Sequence, residues 1–156
     1  MRSYTWLGLL IGLCLLAASI ALLETMPSLP GWYASLQKPP WTPPNWVFGS
    51  VWSILYLMMA VSAWLVVRRQ GWAEANLPLA LFTAQLFFNV AWYGFFFTLQ
   101  SFAAALAEIV VLWTTIIATT IVFWQVSRPA GLLLLPYLAW CTFTAILNFV
   151  IWRLNG

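Results

Sequence analysis

The sequence predicts an all-α membrane protein, a five-transmembrane-helix bundle with a long ordered loop between helices 1 and 2. The chain of 156 residues is 64% hydrophobic and only 6% charged, whereas soluble domains carry about 25% charged residues. Five apolar segments reach the roughly 20 residues that a helix needs to cross a bilayer. These runs do not alternate as barrel strands do, and backbone groups in lipid must bond internally, so we expect helices.

The boundaries of the apolar runs place the helices within a single domain, residues 1–156. Pro27 and Pro30 follow the first run, Arg68 and Arg69 end the second, and Pro78 opens the third. The first run also resembles a signal peptide, but its spanning length favours a retained helix. The expected helices lie at about 4–23, 47–67, 78–98, 102–126 and 130–152.

The loop at about 24–46 is unusual because it is rich in proline and tryptophan. The stretch KPPWTPPNWVFGSVW, residues 38–52, holds four prolines and three tryptophans. Proline fixes φ and lacks a backbone donor, so such a loop can be stiff without secondary structure. We predict an ordered lid; the alternative is an interfacial loop with no ligand beneath it. The predicted lid residues are Trp32, Pro39, Trp41, Pro43 and Trp46, with Tyr33 as a further anchor.

The charge pattern predicts contact with membrane lipid and excludes a nucleic-acid function. The net charge is +3, and the six basic residues are scattered, mostly near helix ends. Basic residues are more numerous on one side of the membrane than on the other, which predicts a cytoplasmic N-terminus if the membrane is a plasma membrane. One side would carry Arg2, Arg68, Arg69 and Arg128, and the other Lys38 and Arg153.

Polar and aromatic side chains of four helices converge in the half of the membrane under the lid. At about 1.5 Å per residue, Trp52, Trp92 and Glu108 lie roughly 8–9 Å below the lid end of their helices. Helical spacing places further aromatic, amide and hydroxyl groups on the same faces. Such a surface suits a flat, mostly apolar ligand with a few polar groups. The predicted ligand-binding residues are Tyr33, Trp52, Tyr56, Asn89, Trp92, Glu108, Trp140, Thr144 and Asn148.

These polar residues also have a purely structural explanation. Amides at helix interfaces often only bond a neighbouring helix, and tryptophans near helix ends often form interfacial belts. Glu108 has no basic residue at its depth, so function and helix packing stay open for it. The pair Ala80 and Ala84 has the small-residue spacing of a close helix contact.

The chain resembles the TspO family, the tryptophan-rich sensory proteins whose animal members are the translocator proteins or peripheral benzodiazepine receptors. The resemblance lies in "WYASLQKPPWTPPNWVFGSVWSILYLMMAVSAW" (32–64), "LPLALFTAQLFFNVAW" (77–92) and "LLLLPYLAWCTFTAILNFVIW" (132–152). It implies five helices around a ligand cavity, with the first long loop as a lid. The cavity positions that it implies are Tyr33, Trp52, Asn89, Trp140, Thr144 and Asn148.

The resemblance also implies ligands and partners. Family ligands are porphyrins and other tetrapyrroles, synthetic isoquinolines and benzodiazepines, and cholesterol in animal members. Family members are often dimers through helix three, where Ala80 and Ala84 lie. Phe149 stands where the proposed sterol motif has a tyrosine before the arginine, so cholesterol binding is doubtful here. A bacterial envelope membrane is expected.

The function that the sequence favours is a membrane receptor or sensor for porphyrin, with protoporphyrin IX or haem as the possible ligand and no obligatory cofactor. The chain has no histidine, the usual imidazole ligand of haem iron. We find no catalytic residues and no metal site: no acid–base pair and no nucleophile with a base. The alternatives are light- and oxygen-dependent porphyrin degradation, facilitated tetrapyrrole transport, and a structural partner role for another membrane protein.

Overall fold

The structure is a computed structural model that describes residues 2–156, except for the side chain of Arg2. Met1, part of the predicted domain, lies outside the described residues. Each of the five long helices within 2–156 is long and apolar enough to cross a membrane. This confirms the predicted five-helix bundle, and the chain is a multi-pass integral membrane protein. The helices are α1 (Arg2–Thr25), α2 (Asn45–Gln70), α3 (Asn76–Tyr93), α4 (Phe102–Val126) and α5 (Arg128–Asn155).

The helices form a closed ring. α1 packs against α2 and α3, α4 packs between α3 and α5, and α2 meets α5 to close the ring. The connections after α2, α3 and α4 are short: Gly71 ends α2 with φ of 87°, and Gln100 turns the chain between α3 and α4 with φ of 52°. Ser127 alone separates α4 from α5. Helices that follow one another through these short turns run in opposite directions.

The half of the bundle far from the lid is a solid core. Phe82 and Phe123 are fully buried and stack at 6.3 Å between ring centroids. The hydroxyl of Ser62, also fully buried, donates to the Ala130 carbonyl at 2.7 Å and ties α2 to the start of α5. This half therefore positions the helices, and any ligand space lies towards the lid.

The segment between α1 and α2 differs from the predicted loop. The predicted first helix ended at residue 23, but helical turns continue through Met26–Ser28 and Leu29–Tyr33. Pro27 and Pro30 are the second residues of these turns, within the first turn, where a backbone N–H has no partner inside the helix. Between α1 and α2, only residues 36–44 lack regular secondary structure. The lid is thus a helical extension of α1 followed by a short extended strap.

Candidate functional site

A cavity of about 350 Å³ occupies the lid half of the bundle. Its wall comes from α1, the turn Leu29–Tyr33, α2, α3 with its continuation Gly94–Thr98, and α5. None of its lining residues belongs to α4, which packs behind α3 and α5. Aromatic rings make up much of the wall: Tyr33, Phe48, Trp52, Tyr56, Trp92, Tyr93, Phe96 and Phe97.

One side of the cavity carries polar groups that are already bonded to each other. The Trp92 indole Nε1 donates to Asn148 Oδ1 at 3.1 Å, and Asn148 Nδ2 donates to the Phe102 carbonyl at 3.0 Å. The Thr144 hydroxyl donates to the Trp140 carbonyl of its own helix at 2.9 Å. These bonds join α3, α4 and α5 beside the cavity and fix the orientation of the Asn148 amide.

The floor of the cavity is a chain of three buried side chains. The Tyr56 hydroxyl donates to Asn89 Oδ1, and Asn89 Nδ2 donates to the Tyr137 hydroxyl at 3.0 Å. Trp52 lies on this floor with ring centroids 5.8 Å from Tyr56 and 6.0 Å from Tyr137. The network seals the cavity from the far half of the bundle.

The cavity opens sideways between α1 and α2. Its exposed lining residues all belong to these two helices: Leu15, Ser19, Leu22, Asn45, Gly49 and Ser53. Because α1 and α2 are both membrane spans, this opening faces the lipid rather than bulk water.

The lid closes the end of the cavity through Tyr33 and its neighbours. Tyr33 is 7% exposed and its ring lies 5.6 Å from that of Phe97. Trp32 stacks on Phe102 at 5.6 Å. The strap is bonded to the end of α5, because Gln37 N donates to Asn155 Oδ1 at 2.9 Å.

Six of the predicted ligand-binding residues line the cavity, and their binding roles stay predictions. The structure places them together even though they come from the lid, α2, α3 and α5. They are Tyr33, Trp52, Tyr56, Trp92, Thr144 and Asn148.

Three predicted residues do not line the cavity. Asn89 is held within the floor and does not line the cavity, because the hydroxyls of Tyr56 and Tyr137 occupy its amide. Trp140 packs behind Phe48 at 5.5 Å between centroids, and its buried Nε1 has no partner among the described residues. Glu108 is on α4, outside the cavity wall, and its two buried oxygens likewise lack partners in the described chain.

The lid residues differ in what they contact. Pro39 is buried, Pro43 is half-buried, and Trp41 meets Phe143 edge-on at 5.8 Å. Trp46 was predicted to anchor the lid, but it is 72% exposed on the first turn of α2. A first-turn position on a lipid-facing side explains this exposure, since tryptophan is favoured at the membrane interface.

The predicted dimer residues lie on the outer surface of the bundle. Ala80 is exposed and Ala84 is half-buried on α3. Both positions leave this face of the helix open to close approach by another helix. The dimer itself stays a prediction.

The contribution of α1 to the cavity wall was not predicted from the sequence. Ala18, Ser19 and Leu22 line the cavity, but α1 is apolar all round and carries no stripe of polar or aromatic residues. Tyr93 and Phe97 were also missed, because they lie beside the predicted stripe that contains Trp92.

Comparison with known proteins now identifies the family. The model of the TspO/MBR family matches residues 10–153. The chain belongs to the TspO/MBR family. The tryptophan-rich protein TspO of Chlorobaculum tepidum is 45% identical over 152 residues, 96% of this chain and 95% of the relative.

Other TspO/MBR relatives come from distant organisms. Protein CrtK of Rhodobacter capsulatus is 43% identical over 128 residues, which cover 80% of this chain and 78% of CrtK. The human translocator protein is 44% identical over 126 residues, 80% of this chain and 75% of that protein. Membership of the TspO/MBR family agrees with the five-helix membrane bundle.

Proposed function

We propose that this TspO/MBR protein is a membrane receptor or sensor that binds a porphyrin, such as protoporphyrin IX or haem, in the cavity under the lid. The observation that supports this most is the cavity itself, about 350 Å³ of space with aromatic rings on several sides. Small-molecule sites span roughly 300–1,000 Å³ and combine an apolar wall with a few polar groups. A tetrapyrrole fills such a space and extends into the opening between α1 and α2.

The ring is held by stacking and hydrogen bonds rather than through an axial imidazole. The chain contains no histidine, and the aromatic wall of the cavity includes Trp52 and Phe96. Ring stacking depends on the macrocycle and not on its central metal. We therefore expect the free-base ring and haem to bind with similar affinity.

The depth of the cavity supports a receptor over a transporter. The lining residues on α2 end at Tyr56, and those on α3 begin at Trp92. Below them lies the bonded floor of Asn89 and Tyr137. A ligand that enters from the lipid would rest on this floor and stabilise one arrangement of the lid. The relative from Cereibacter sphaeroides named tryptophan-rich sensory protein carries a name that fits such a role.

A second candidate is light- and oxygen-dependent degradation of the bound ring. Trp52 lines the cavity and contacts three tyrosine rings, with Tyr93 at 6.0 Å. Such electron-rich rings are oxidisable when they lie beside an excited macrocycle. Illumination of the complex in air distinguishes catalysis from a side reaction. Consumption of several porphyrins per intact protein would support an enzyme, whereas consumption of one porphyrin with damage to Trp52 would not.

The proposal also covers the oligomeric state of the protein and the membrane in which it lies. A homodimer along α3 would use the outer face with Ala80 and Ala84. A bacterial envelope membrane with a cytoplasmic N-terminus fits the arginines Arg68, Arg69 and Arg128 on one side. Cross-linking of single cysteines on α3 would test the dimer. Labelling of single cysteines at the two ends of α3 would test the orientation in the membrane.

The binding proposal is tested by filling the cavity. Ala18 lines the cavity, so Ala18→Phe should block it, whereas Ala139 is exposed on α5 and Ala139→Phe is a matched control. In purified protein, quenching of tryptophan fluorescence by protoporphyrin IX should saturate for the wild type and the control. Overpacking costs of about 1–3 kcal/mol predict a loss of affinity of roughly fivefold to hundredfold for Ala18→Phe.

Quenching that does not saturate, or that is equal in all three proteins, would mean that the porphyrin partitions into the micelle. The cavity would then be a packing defect of the bundle and not a binding site.

A further inference from the structure

We propose that the ammonium of Lys38, in the strap of the lid, binds a carboxylate at the edge of the cavity ligand. This inference rests on the proposed porphyrin-binding function and deepens it. It defines the ligand as an amphipathic acid, with a flat apolar body in the cavity and a carboxylate at the lid. It also orients that ligand within the membrane.

The cavity provides no charged group of its own. None of the residues that line it within the described chain is Lys, Arg, Asp or Glu. The donors in its wall that have no hydrogen-bond partner among the described residues are neutral, and include the Tyr33 hydroxyl and the Trp52 indole. A carboxylate buried among them without a cation would lose its hydration with little in return. An acidic ligand must therefore place its carboxylate at an edge of the cavity where a cation lies.

Lys38 is the cation that lies against the cavity wall. Its Nζ is 4.6 Å from the centroid of the Tyr33 ring and donates to the Tyr33 carbonyl at 2.6 Å. It also donates to the Leu36 carbonyl at 3.3 Å. Tyr33 lines the cavity, so the ammonium stands one aromatic ring away from the ligand space.

The ammonium of Lys38 has one N–H donor that is free to bind a ligand. It has three N–H donors, and the structure occupies two of them with carbonyl oxygens. No acidic side chain of residues 2–156 pairs with it. A half-buried cation bonded only to neutral carbonyls attracts an anion strongly, because part of its hydration is already lost.

The strap holds Lys38 in place before any ligand arrives. The side chain of Asn155 bonds both backbone groups of Gln37, accepting from its N–H at 2.9 Å and donating to its carbonyl at 2.8 Å. Pro39, on the other side of Lys38, is buried. A charged group fixed in this way loses little conformational entropy on binding.

The other basic residue on the lid side has none of these features. Arg153 is exposed in the last turn of α5. It shares the charge and the side of the membrane with Lys38, and so provides a matched control for general electrostatic attraction.

The test compares protoporphyrin IX with its dimethyl ester, which keeps the ring and removes both carboxylates. Each is titrated against the wild type, Lys38→Met, Lys38→Arg and Arg153→Met in neutral detergent, by tryptophan quenching. Met is an unbranched side chain that lacks the ammonium, and far-UV circular dichroism checks that each variant is folded. Loss of one charge-assisted hydrogen bond predicts about tenfold weaker binding of the acid by Lys38→Met. Lys38→Arg should stay close to the wild type, Arg153→Met should change affinity less than about twofold, and the ester should bind all four alike.

The outcomes separate this inference from the binding proposal. If the wild type binds the acid saturably but Lys38→Met binds it equally well, or loses acid and ester alike, Lys38 is not the carboxylate site. If Arg153→Met matches the loss in Lys38→Met, the effect is general attraction and the inference is wrong. If the wild type binds neither ring saturably, the proposed function fails and this inference fails with it.

Discussion

Replacement of Asn89 by leucine tests the bonded floor of the cavity. Asn89 is 1% exposed and bridges two tyrosines that are themselves buried, Tyr56 at 4% and Tyr137 at 1% exposure. Leucine has a similar size but neither donates nor accepts. Asn89→Leu therefore removes two hydrogen bonds and leaves two phenol hydroxyls without their partner.

The magnitude follows from the surroundings of the two hydroxyls. Side-chain hydrogen bonds between membrane helices are worth on average about 0.6 kcal/mol, which gives roughly 1 kcal/mol for the pair. Tyr56 faces the cavity, where water can reach it, but Tyr137 does not line the cavity and stays without water. A buried hydroxyl without a partner costs about 1–3 kcal/mol. We expect Asn89→Leu to lower the free energy of unfolding by about 2 kcal/mol, mostly through Tyr137.

The assay is reversible unfolding in mixed micelles, followed by far-UV circular dichroism. The control combines Asn89→Leu with Tyr56→Phe and Tyr137→Phe, so that no polar group remains unpaired. Replacing all partners by apolar groups can be nearly neutral, so the triple variant should recover most of the loss. Unchanged stability of Asn89→Leu, or a triple variant less stable than Asn89→Leu, would refute this account of the floor.

Three further substitutions probe other parts of the bundle. Gly131→Ala would place a Cβ 2.8 Å from the Cβ of Trp124, so it should destabilise the α4–α5 junction by about 1–3 kcal/mol; Gly49→Ala, with nothing within 4 Å, is the control in the same unfolding assay. Asn155→Ala removes both hydrogen bonds to the strap and should speed amide hydrogen exchange in residues 36–44 while changing the stability of the bundle by less than about 1 kcal/mol; unchanged exchange there would mean that other contacts hold the strap. Glu108→Gln removes a buried carboxylate that has no partner among the described residues and should raise stability by about 1 kcal/mol or more; a lower unfolding midpoint would show that the carboxylate has a role.

The helices could be predicted because the signal is local. Five runs of apolar residues of spanning length decide the number of helices, and lipid leaves the backbone no alternative to a helix. The path of the chain beyond α1 depends on contacts with distant residues, so the local pattern did not predict it. Pro27 and Pro30 read as the end of a helix, but both occupy first-turn positions of new helical turns. The hydroxyl of Ser28 bonds the Phe97 carbonyl at 3.0 Å, and such a contact across 69 residues has no trace in the local pattern.

The cavity wall could be predicted in part, because helical spacing shows which residues share a face. Trp92 lines the cavity and Asn89, three residues earlier on the same face, does not. Spacing cannot tell where a neighbouring helix fills the space between them. Here the Tyr56 hydroxyl does so from α2, and the ligand space ends at that level.

The sequence by itself determined the five membrane-spanning helices, the family, and six of the residues that line the cavity. Each of these depends on apolar length, residue spacing or a motif within one segment. Only the tertiary structure decided that α4 stays behind the wall, that Asn89 is held within the floor, and that Lys38 stands over Tyr33. These facts depend on how far each helix slides and rotates against its neighbours, which is set by packing between residues distant along the chain.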